Sequence, residues 1–185
     1  MKKNIHIFGP SGSGTTTLGK IISEKYDLTH FDADDYFWFP TEPPFEKIRP
    51  SKERQRLLLN DIRKVNSWVI SGCICGWGDI FIPYFDLVIY LWAPTEVRIK
   101  RLKKRERKIF GKELLPGGNM YENHKGFIEW TSKYDTAGTE MRSRKTHELW
   151  MDKLNCPLLK IEGIYKVDAI ADTVVEKVSK LEEEN

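Results

Sequence analysis

The chain has 185 residues, of which 40% are hydrophobic and 31% charged, and its formal net charge is +3. This length fits one domain, and this composition excludes a largely disordered chain. No apolar run reaches the roughly 20 residues of a membrane span, and the first residues hold too short an apolar stretch for a signal peptide. The 3 cysteines do not suggest a disulfide framework, so we expect a cytoplasmic protein without membrane contact.

Short apolar strands alternate with amphipathic helices along the chain. Strands are predicted at 4–8, 29–31, 68–70, 86–92 and 157–161, and helices at 15–26, 51–65, 95–110, 122–134, 139–154 and from 167 onward. Residues 36–50, which are rich in proline and aromatic residues, are predicted to form a loop. This alternation predicts an α/β fold with a parallel sheet of about five strands. Ligands of such sheets bind at the carboxyl ends of the strands.

The loop between the first strand and the first helix has a phosphate-binding pattern. Residues 9–16 fit G-x4-G-K-[ST] except that Thr15 stands at the lysine position. Backbone N–H groups and the helix N-terminus bind phosphate in such loops, and the threonine hydroxyl ligates Mg²⁺. The alternative is a flexible Gly/Ser turn. We predict that the nucleotide phosphates contact Gly9, Ser11, Gly12, Ser13, Gly14, Thr15, Thr16 and Thr17, with Thr16 also on the metal.

A strongly basic helix follows the fourth strand. Residues 98–112 carry nine Lys or Arg residues and one acid, Glu106, which gives eight net positive charges. Arg98, Arg101 and Arg105 share one helix face, so an arginine there is the favoured substitute for the missing lysine, and Lys20 is the other candidate. The alternatives are a solvated surface or a nucleic-acid patch. No nucleic-acid-reading motif supports the second, so a nucleic-acid partner is not favoured.

Four features together resemble the small P-loop kinases, the group of adenylate, shikimate and gluconate kinases and of the adenylate-kinase-related topology modulation proteins. They are residues 9–17, residues 32–34, the glycine-rich loop after the third strand and residues 98–107. The resemblance implies strand order 2-3-1-4-5, ATP with Mg²⁺, an acceptor-binding excursion at about 33–66 and a helical lid at about 105–138. Its lid arginines would be Arg101, Arg105 and Arg107, with Arg142 and Arg144 as further candidates.

Three carboxylates follow the second strand. Phosphoryl transfer needs cations on the phosphates and often a carboxylate near the acceptor hydroxyl. Asp32-Ala33-Asp34 resembles the Asp-x-Asp of shikimate kinases, and Asp34-Asp35-Tyr36 resembles the Asp-Asp-Phe/Tyr of uridine and nicotinamide riboside kinases. Asp34 is therefore the predicted base, and Asp32 is predicted to hold Mg²⁺ through water. The alternative is that these acids only cap the next segment.

The acceptor site is predicted from the loop after the third strand and from the aromatic segment. Nucleoside monophosphate kinases place an arginine in this loop, whereas residues 71–79 contain none. The residues predicted to contact an acceptor without a phosphate are therefore Asp32, Asp35, Tyr36, Trp77 and Asp79. Cys73 and Cys75 would face opposite sides of an extended stretch, so no zinc site is expected there. His124 and His147 are expected on the surface or along a helix.

These patterns together predict one domain over residues 1–185. Its predicted activity is ATP-dependent phosphoryl transfer to a hydroxyl of a small molecule or nucleoside. Two alternatives remain open at this stage: a nucleotide-binding protein without turnover, because of Thr15, and a nucleic-acid-binding regulator that uses residues 98–112. The identity of the acceptor and the oligomeric state are left undefined by the sequence.

Overall fold

The computed structural model describes residues 3–164 and 167–183. Its strands are β1 Asn4–Phe8, β2 Thr29–Asp32, β3 Trp68–Ser71, β4 Leu87–Trp92 and β5 Leu158–Glu162. Its helices are α1 Thr15–Tyr26, α2 Ala33–Phe37, α3 Ser51–Ile62, α4 Thr95–Phe110, α5 Tyr121–Ser132, α6 Arg144–Met151 and α7 Val167–Glu183. None of the helices in these ranges combines the length and the apolarity that crossing a membrane requires.

The strands form one parallel sheet in the order β2-β3-β1-β4-β5, which confirms the predicted fold and strand order. Successive side chains of a strand point to opposite faces, and both faces are covered. Ile5 and Ile7 of β1 pack with α1 and α7, where Leu18 and Val174 are fully buried. Phe8 faces the other core, which α3 and α6 cover. The side chains on both faces of β1 are thus buried.

The segment after β2 differs from its predicted structure. Tyr36 was expected to begin a loop, but it lies in α2, because the Asp32 side chain accepts a hydrogen bond from the Asp34 N–H at 3.1 Å and begins that helix. The rest of the segment is partly paired. Trp38 forms an antiparallel bridge with Ile48, and the Phe39 N–H donates to the carbonyl of residue 47 at 2.8 Å.

Two helix boundaries also differ from the predictions. The helix predicted at 139–154 begins at Arg144, because the Ser143 hydroxyl accepts from the Thr146 N–H at 3.1 Å and caps it. The helix predicted at 51–65 ends at Ile62. Between α4 and α5, a short 3-10 helix, Gly111–Leu114, lies within the segment predicted as the lid.

Candidate active site

The phosphate loop, residues 9–16, joins the end of β1 to the start of α1 at the carboxyl edge of the sheet. Gly14 is the N-cap of α1 with a φ of 106°, a left-handed conformation that glycine adopts without strain. A glycine N-cap has no side chain to bond the first N–H groups of the helix. These donors and the partial positive charge of the helix N-terminus therefore remain available to an anion.

Thr16 and Asp32 meet beside this loop. The Thr16 hydroxyl donates to one carboxylate oxygen of Asp32 at 3.0 Å, and the other oxygen accepts from the Asp34 backbone. The structure therefore brings together the two residues predicted to surround Mg²⁺. Hard oxygen donors of this kind suit that ion. Thr15 is partly buried and Thr17 is exposed on the first turn of α1.

Helix α4 lies against the phosphate loop through its arginines. Arg98 is fully buried and pairs with Asp135 at 2.9 Å, and it also reaches the carbonyl of Ser11 at 3.5 Å. One turn later, Arg101 donates to the carbonyls of Gly12 at 3.4 Å and Ser13 at 3.2 Å. The shared helix face predicted from the spacing is thus present, although Arg98 is occupied within the protein.

A cleft of about 820 Å³ begins at the phosphate loop and extends under the lid segment. Its polar side chains include Ser11, Asp34, Arg105 and Arg142. Its walls are largely aromatic, and they come from the segment after α2, from the end of α4 and from α5: Phe37, Trp38, Phe45, Phe110, Phe127 and Trp130. The cleft thus joins the loop, the base predicted at Asp34 and one predicted lid arginine.

The carboxyl of Asp34 lies in a setting that favours its protonated form. Burial and, to a smaller extent, the charge of Asp32 raise the pKa of Asp34, while Arg142 and Arg105 act in the opposite direction. Burial disfavours the charged form of a carboxyl, and a nearby carboxylate does the same. A raised pKa makes this carboxylate a better proton acceptor, as general-base catalysis requires.

Asp35 and Tyr36, both predicted to contact the acceptor, point elsewhere. Asp35 is exposed, and partial burial together with the charge of Asp32 raises the pKa of its carboxyl. The Tyr36 hydroxyl donates to Asp61 at 3.0 Å. Burial and this bond raise the pKa of Tyr36. Neither side chain is part of the lining of the cleft.

Trp77 and Asp79, both predicted to contact the acceptor, are not part of the lining of the cleft. Trp77 is buried against Phe81. Asp79 accepts hydrogen bonds from Trp150 of α6 and from Lys153 just after α6, both at 2.8 Å. These bonds hold the loop after β3 against α6. Burial raises the pKa of Asp79, but the hydrogen bonds that it accepts outweigh that effect and lower it. The side chains that bind Asp79 come from α6 and the residues after it, which are distant in sequence.

The predictions for the cysteines and for His147 need correction. Cys73, Cys75 and His147 each place a ligand atom within 4.8 Å of the others. His147 lies in helix α6, one of its two predicted places, and it is fully buried there. Gly72 has a φ of 97° and turns the chain just before Cys73, so the alternation of an extended strand does not apply. Without that alternation, the two thiols need not face opposite sides.

The remaining candidates divide between the cleft and the outer surface. Arg142 lines the cleft, and its guanidinium lies 5.6 Å from the ring centre of Trp130. Arg144 instead pairs with Glu148 at 3.2 Å and with Glu162 at 2.9 Å. His124 lies in the cleft and contacts Glu106. Of the two further arginine candidates, the structure therefore brings only Arg142 to the predicted base.

The outer face of α4 carries most of the positive charge of residues 98–112. Lys100, Lys103, Lys104 and Arg107 line a shallow groove that faces away from the phosphate loop. All four side chains are exposed. The basic segment therefore has two faces, of which one lies against the loop and the cleft and the other is solvated.

Comparisons with known proteins agree with this geometry. Residues 5–125 match the family model described as "AAA domain". A protein of Bacillus subtilis, "Uncharacterized protein YqaC", is 48% identical and covers 97% of this chain and 99% of its own. A shikimate kinase of Caldicellulosiruptor bescii is 32% identical over 65% of this chain and 74% of its own, and a cytidylate kinase of Archaeoglobus fulgidus is 34% identical over 56% and 62%.

Solved structures share the fold. A shikimate kinase from Acinetobacter baumannii in complex with shikimate has a TM-score of 0.55 at 16% identity, and the match covers 97% of this chain and 94% of that one. A deoxyadenosine kinase from M. mycoides has a TM-score of 0.54 at 18% identity, with 96% and 99% covered. The chain therefore belongs to the AAA domain family, in a group of P-loop proteins that includes small kinases.

Proposed function

We propose that the protein transfers the γ-phosphoryl group of ATP to a hydroxyl of an uncharged small molecule or nucleoside. The observation that supports this proposal is one continuous cleft of about 820 Å³, whose lining includes both Ser11 of the phosphate loop and Asp34. A kinase needs the nucleotide phosphates and the acceptor hydroxyl in line, with little covalent work by the protein.

The ATP end of the site would rest on the phosphate loop and on Arg101 and Arg105 of α4. The N–H groups of residues 11–17 would hold the phosphates, and Arg101, already at the carbonyls of Gly12 and Ser13, would supply the charge that Thr15 lacks. Arg105 lines the neighbouring cleft, from which it would approach the transferring group. Thr16 and Asp32 would hold Mg²⁺, which neutralises charge on the phosphates during transfer.

Asp34 would accept the proton of the acceptor hydroxyl. It lies in the cleft beside the loop, and its raised pKa makes its carboxylate a stronger base than a solvated aspartate. Asp32 is bonded to the backbone of the same turn, which fixes the orientation of the segment. The substrate panel below tests this role separately from nucleotide binding.

The charge of the cleft favours an acceptor without a phosphate group. Three carboxylates line the cleft, those of Asp34, Glu46 and Glu106, against two guanidinium groups, those of Arg105 and Arg142. Such a near-neutral lining does not concentrate anions. The aromatic walls instead suit the flat or apolar part of a hydroxylated molecule, such as the base of a nucleoside.

The test compares Asp34→Asn with Asp35→Asn, a matched control because Asp35 is the next residue and is not part of the cleft lining. ATP consumption is measured with Mg²⁺ over a panel of nucleosides, sugars and polyols, and ATP binding is measured by calorimetry. Asp34→Asn should lower turnover about a hundredfold or more, the usual scale of general-base catalysis, and leave ATP affinity intact. Asp35→Asn should retain both.

The competing function is nucleotide binding without turnover, which the missing lysine favours. If ATP binds and no panel member stimulates its consumption above the basal rate, this second function replaces the kinase. If a panel member is phosphorylated and Asp34→Asn keeps the full rate, the protein is a kinase with a different base.

A further inference from the structure

Two thiols of the loop after β3 and one imidazole of α6 lie together, and the proposed phosphoryl transfer uses none of them. The Cys73 sulfur lies 3.3 Å from Nε2 of His147, and the Cys75 sulfur completes a group whose ligand atoms all lie within 4.8 Å of one another. Cys156, the third cysteine, is not part of this group. Two sulfurs and one imidazole nitrogen at such spacing match the ligand types of thiophilic metal ions.

The loop that carries the thiols is held in place by contacts on both sides. Ile74, between the two cysteines, is fully buried, and its carbonyl accepts from the Gly78 N–H at 2.7 Å. The Gly76 N–H donates to Asp79 at 2.9 Å. A metal ion would therefore meet an arrangement that is already folded, which lowers the conformational cost of binding.

The second nitrogen of His147 has the partner that a metal-binding histidine requires. Nδ1 lies 2.8 Å from the Tyr134 hydroxyl, and that hydroxyl lies 2.9 Å from the hydroxyl of Tyr90. When Nδ1–H donates to Tyr134, Tyr134 can donate onward to Tyr90, and Nε2 presents its lone pair toward Cys73. Such outer hydrogen bonds fix the tautomer and the ring orientation of metal-ligating histidines.

We propose that Cys73, Cys75 and His147 form a binding site for a thiophilic d¹⁰ ion, Zn²⁺ or Cu⁺, with Tyr134 as the residue that orients His147. The inference does not depend on the kinase proposal. Two thiolates and a neutral imidazole carry two negative charges, which Zn²⁺ balances. Cu⁺ would leave one negative charge beside Arg142, whose guanidinium interacts with both cysteines.

The bound ion would join the loop after β3 to α6. Arg142 lines the cleft, and its guanidinium charge acts on Cys73, on Cys75 and on Asp34. The ion would thus lie near one residue of the cleft without taking part in the transfer itself.

The test uses the full chain, freed of metal and kept reduced with a phosphine. Zn²⁺ and Cu⁺ are titrated separately, each against a chromophoric chelator, and Co²⁺ reports thiolate ligands through its charge-transfer absorption. Cys73→Ser and Cys75→Ser are compared with Cys156→Ser, the matched control, and circular dichroism verifies that each variant is folded. Tyr134→Phe removes the hydroxyl beside His147 and leaves the three ligands in place.

One ion per chain should bind, with unchanged affinity in Cys156→Ser and at least a tenfold loss in each of the other cysteine variants. Tyr134→Phe should bind about 10- to 100-fold more weakly, as is usual when the outer partner of a ligating histidine is removed. Preference for one of the two ions identifies the metal. The site is refuted if the wild type captures neither ion, or if Cys73→Ser and Cys75→Ser bind as tightly as the control. A Cys73–Cys75 disulfide in protein that binds no metal after reduction would also refute it.

Discussion

The buried Arg98 side chain contacts both the phosphate loop and Asp135, and replacing it with methionine tests what these contacts contribute. Methionine retains most of the apolar stem and removes the guanidinium, which bonds Asp135 at 2.9 Å, Thr95 at 2.7 Å and the carbonyl of Ala93 at 2.8 Å. Arg98 is fully buried, whereas the Asp135 side chain is 24% exposed.

Removing one partner of a buried ion pair costs about 3–5 kcal/mol, because the other charge remains without its counterion. Because Asp135 is partly exposed, we expect Arg98→Met to lower the free energy of unfolding by about 3 kcal/mol. This loss is a large fraction of the roughly 5–15 kcal/mol that stabilise a domain. The contact of Arg98 with the Ser11 carbonyl at 3.5 Å is lost as well. We therefore expect weaker ATP binding even at temperatures where the variant is folded.

Urea unfolding followed by tryptophan fluorescence measures the free energy of unfolding, and calorimetry measures ATP affinity. The matched control for stability is Arg101→Met on the next turn, which is exposed and should change the free energy of unfolding by no more than about 0.5 kcal/mol. The double variant Arg98→Met/Asp135→Asn should lose less than the sum of the single losses. An Arg98→Met variant within 1 kcal/mol of wild type, or strictly additive losses, would refute the reasoning.

Three further predictions address the loop, the missing lysine and pH. Gly14→Val forces a β-branched residue to a φ of 106° and should weaken ATP binding, measured by calorimetry, at least tenfold. Gly126→Ala on α5, where an added Cβ meets nothing within 4 Å, should leave ATP binding unchanged. Equal ATP affinities of the two variants would contradict the role of the loop. Arg101→Met should raise the ATP dissociation constant at least tenfold, or about 1.4 kcal/mol, and adding Thr15→Lys should restore part of the affinity; no change in Arg101→Met would remove this arginine from the site. Burial lowers the pKa of His6 to about 4, so below pH 6.5 this imidazole binds a proton in the unfolded chain but not in the folded chain. As the pH falls from 6.5 to 4, the free energy of unfolding of the wild type should therefore fall by about 3 kcal/mol more than that of His6→Phe. Parallel pH profiles of the two proteins in urea unfolding would contradict this prediction.

The sequence by itself determined the sheet, the phosphate loop and the helix that faces it. Unbroken apolar runs such as Leu87–Leu91 suit a parallel strand covered on both faces, and the alternation with helices leaves few topologies. The glycines at 9, 12 and 14 act through backbone geometry, which is local. The spacing of Arg98 and Arg101 is likewise local to one helix, so their shared face was predictable.

Only the tertiary structure decided which side chains meet across elements. Asp79 was assigned to the acceptor wall because its loop lies at the correct edge of the sheet, but its carboxylate is bound by Trp150 and Lys153, more than 70 residues later, and is not part of the cleft lining. The cluster of Cys73, Cys75 and His147 was missed for the same reason. A local pattern fixes the direction of a side chain only within a regular element, and Gly72 ends that regularity just before the first cysteine. Contacts between segments so distant in sequence depend on how α6 packs on the sheet, which no local pattern of residues contains.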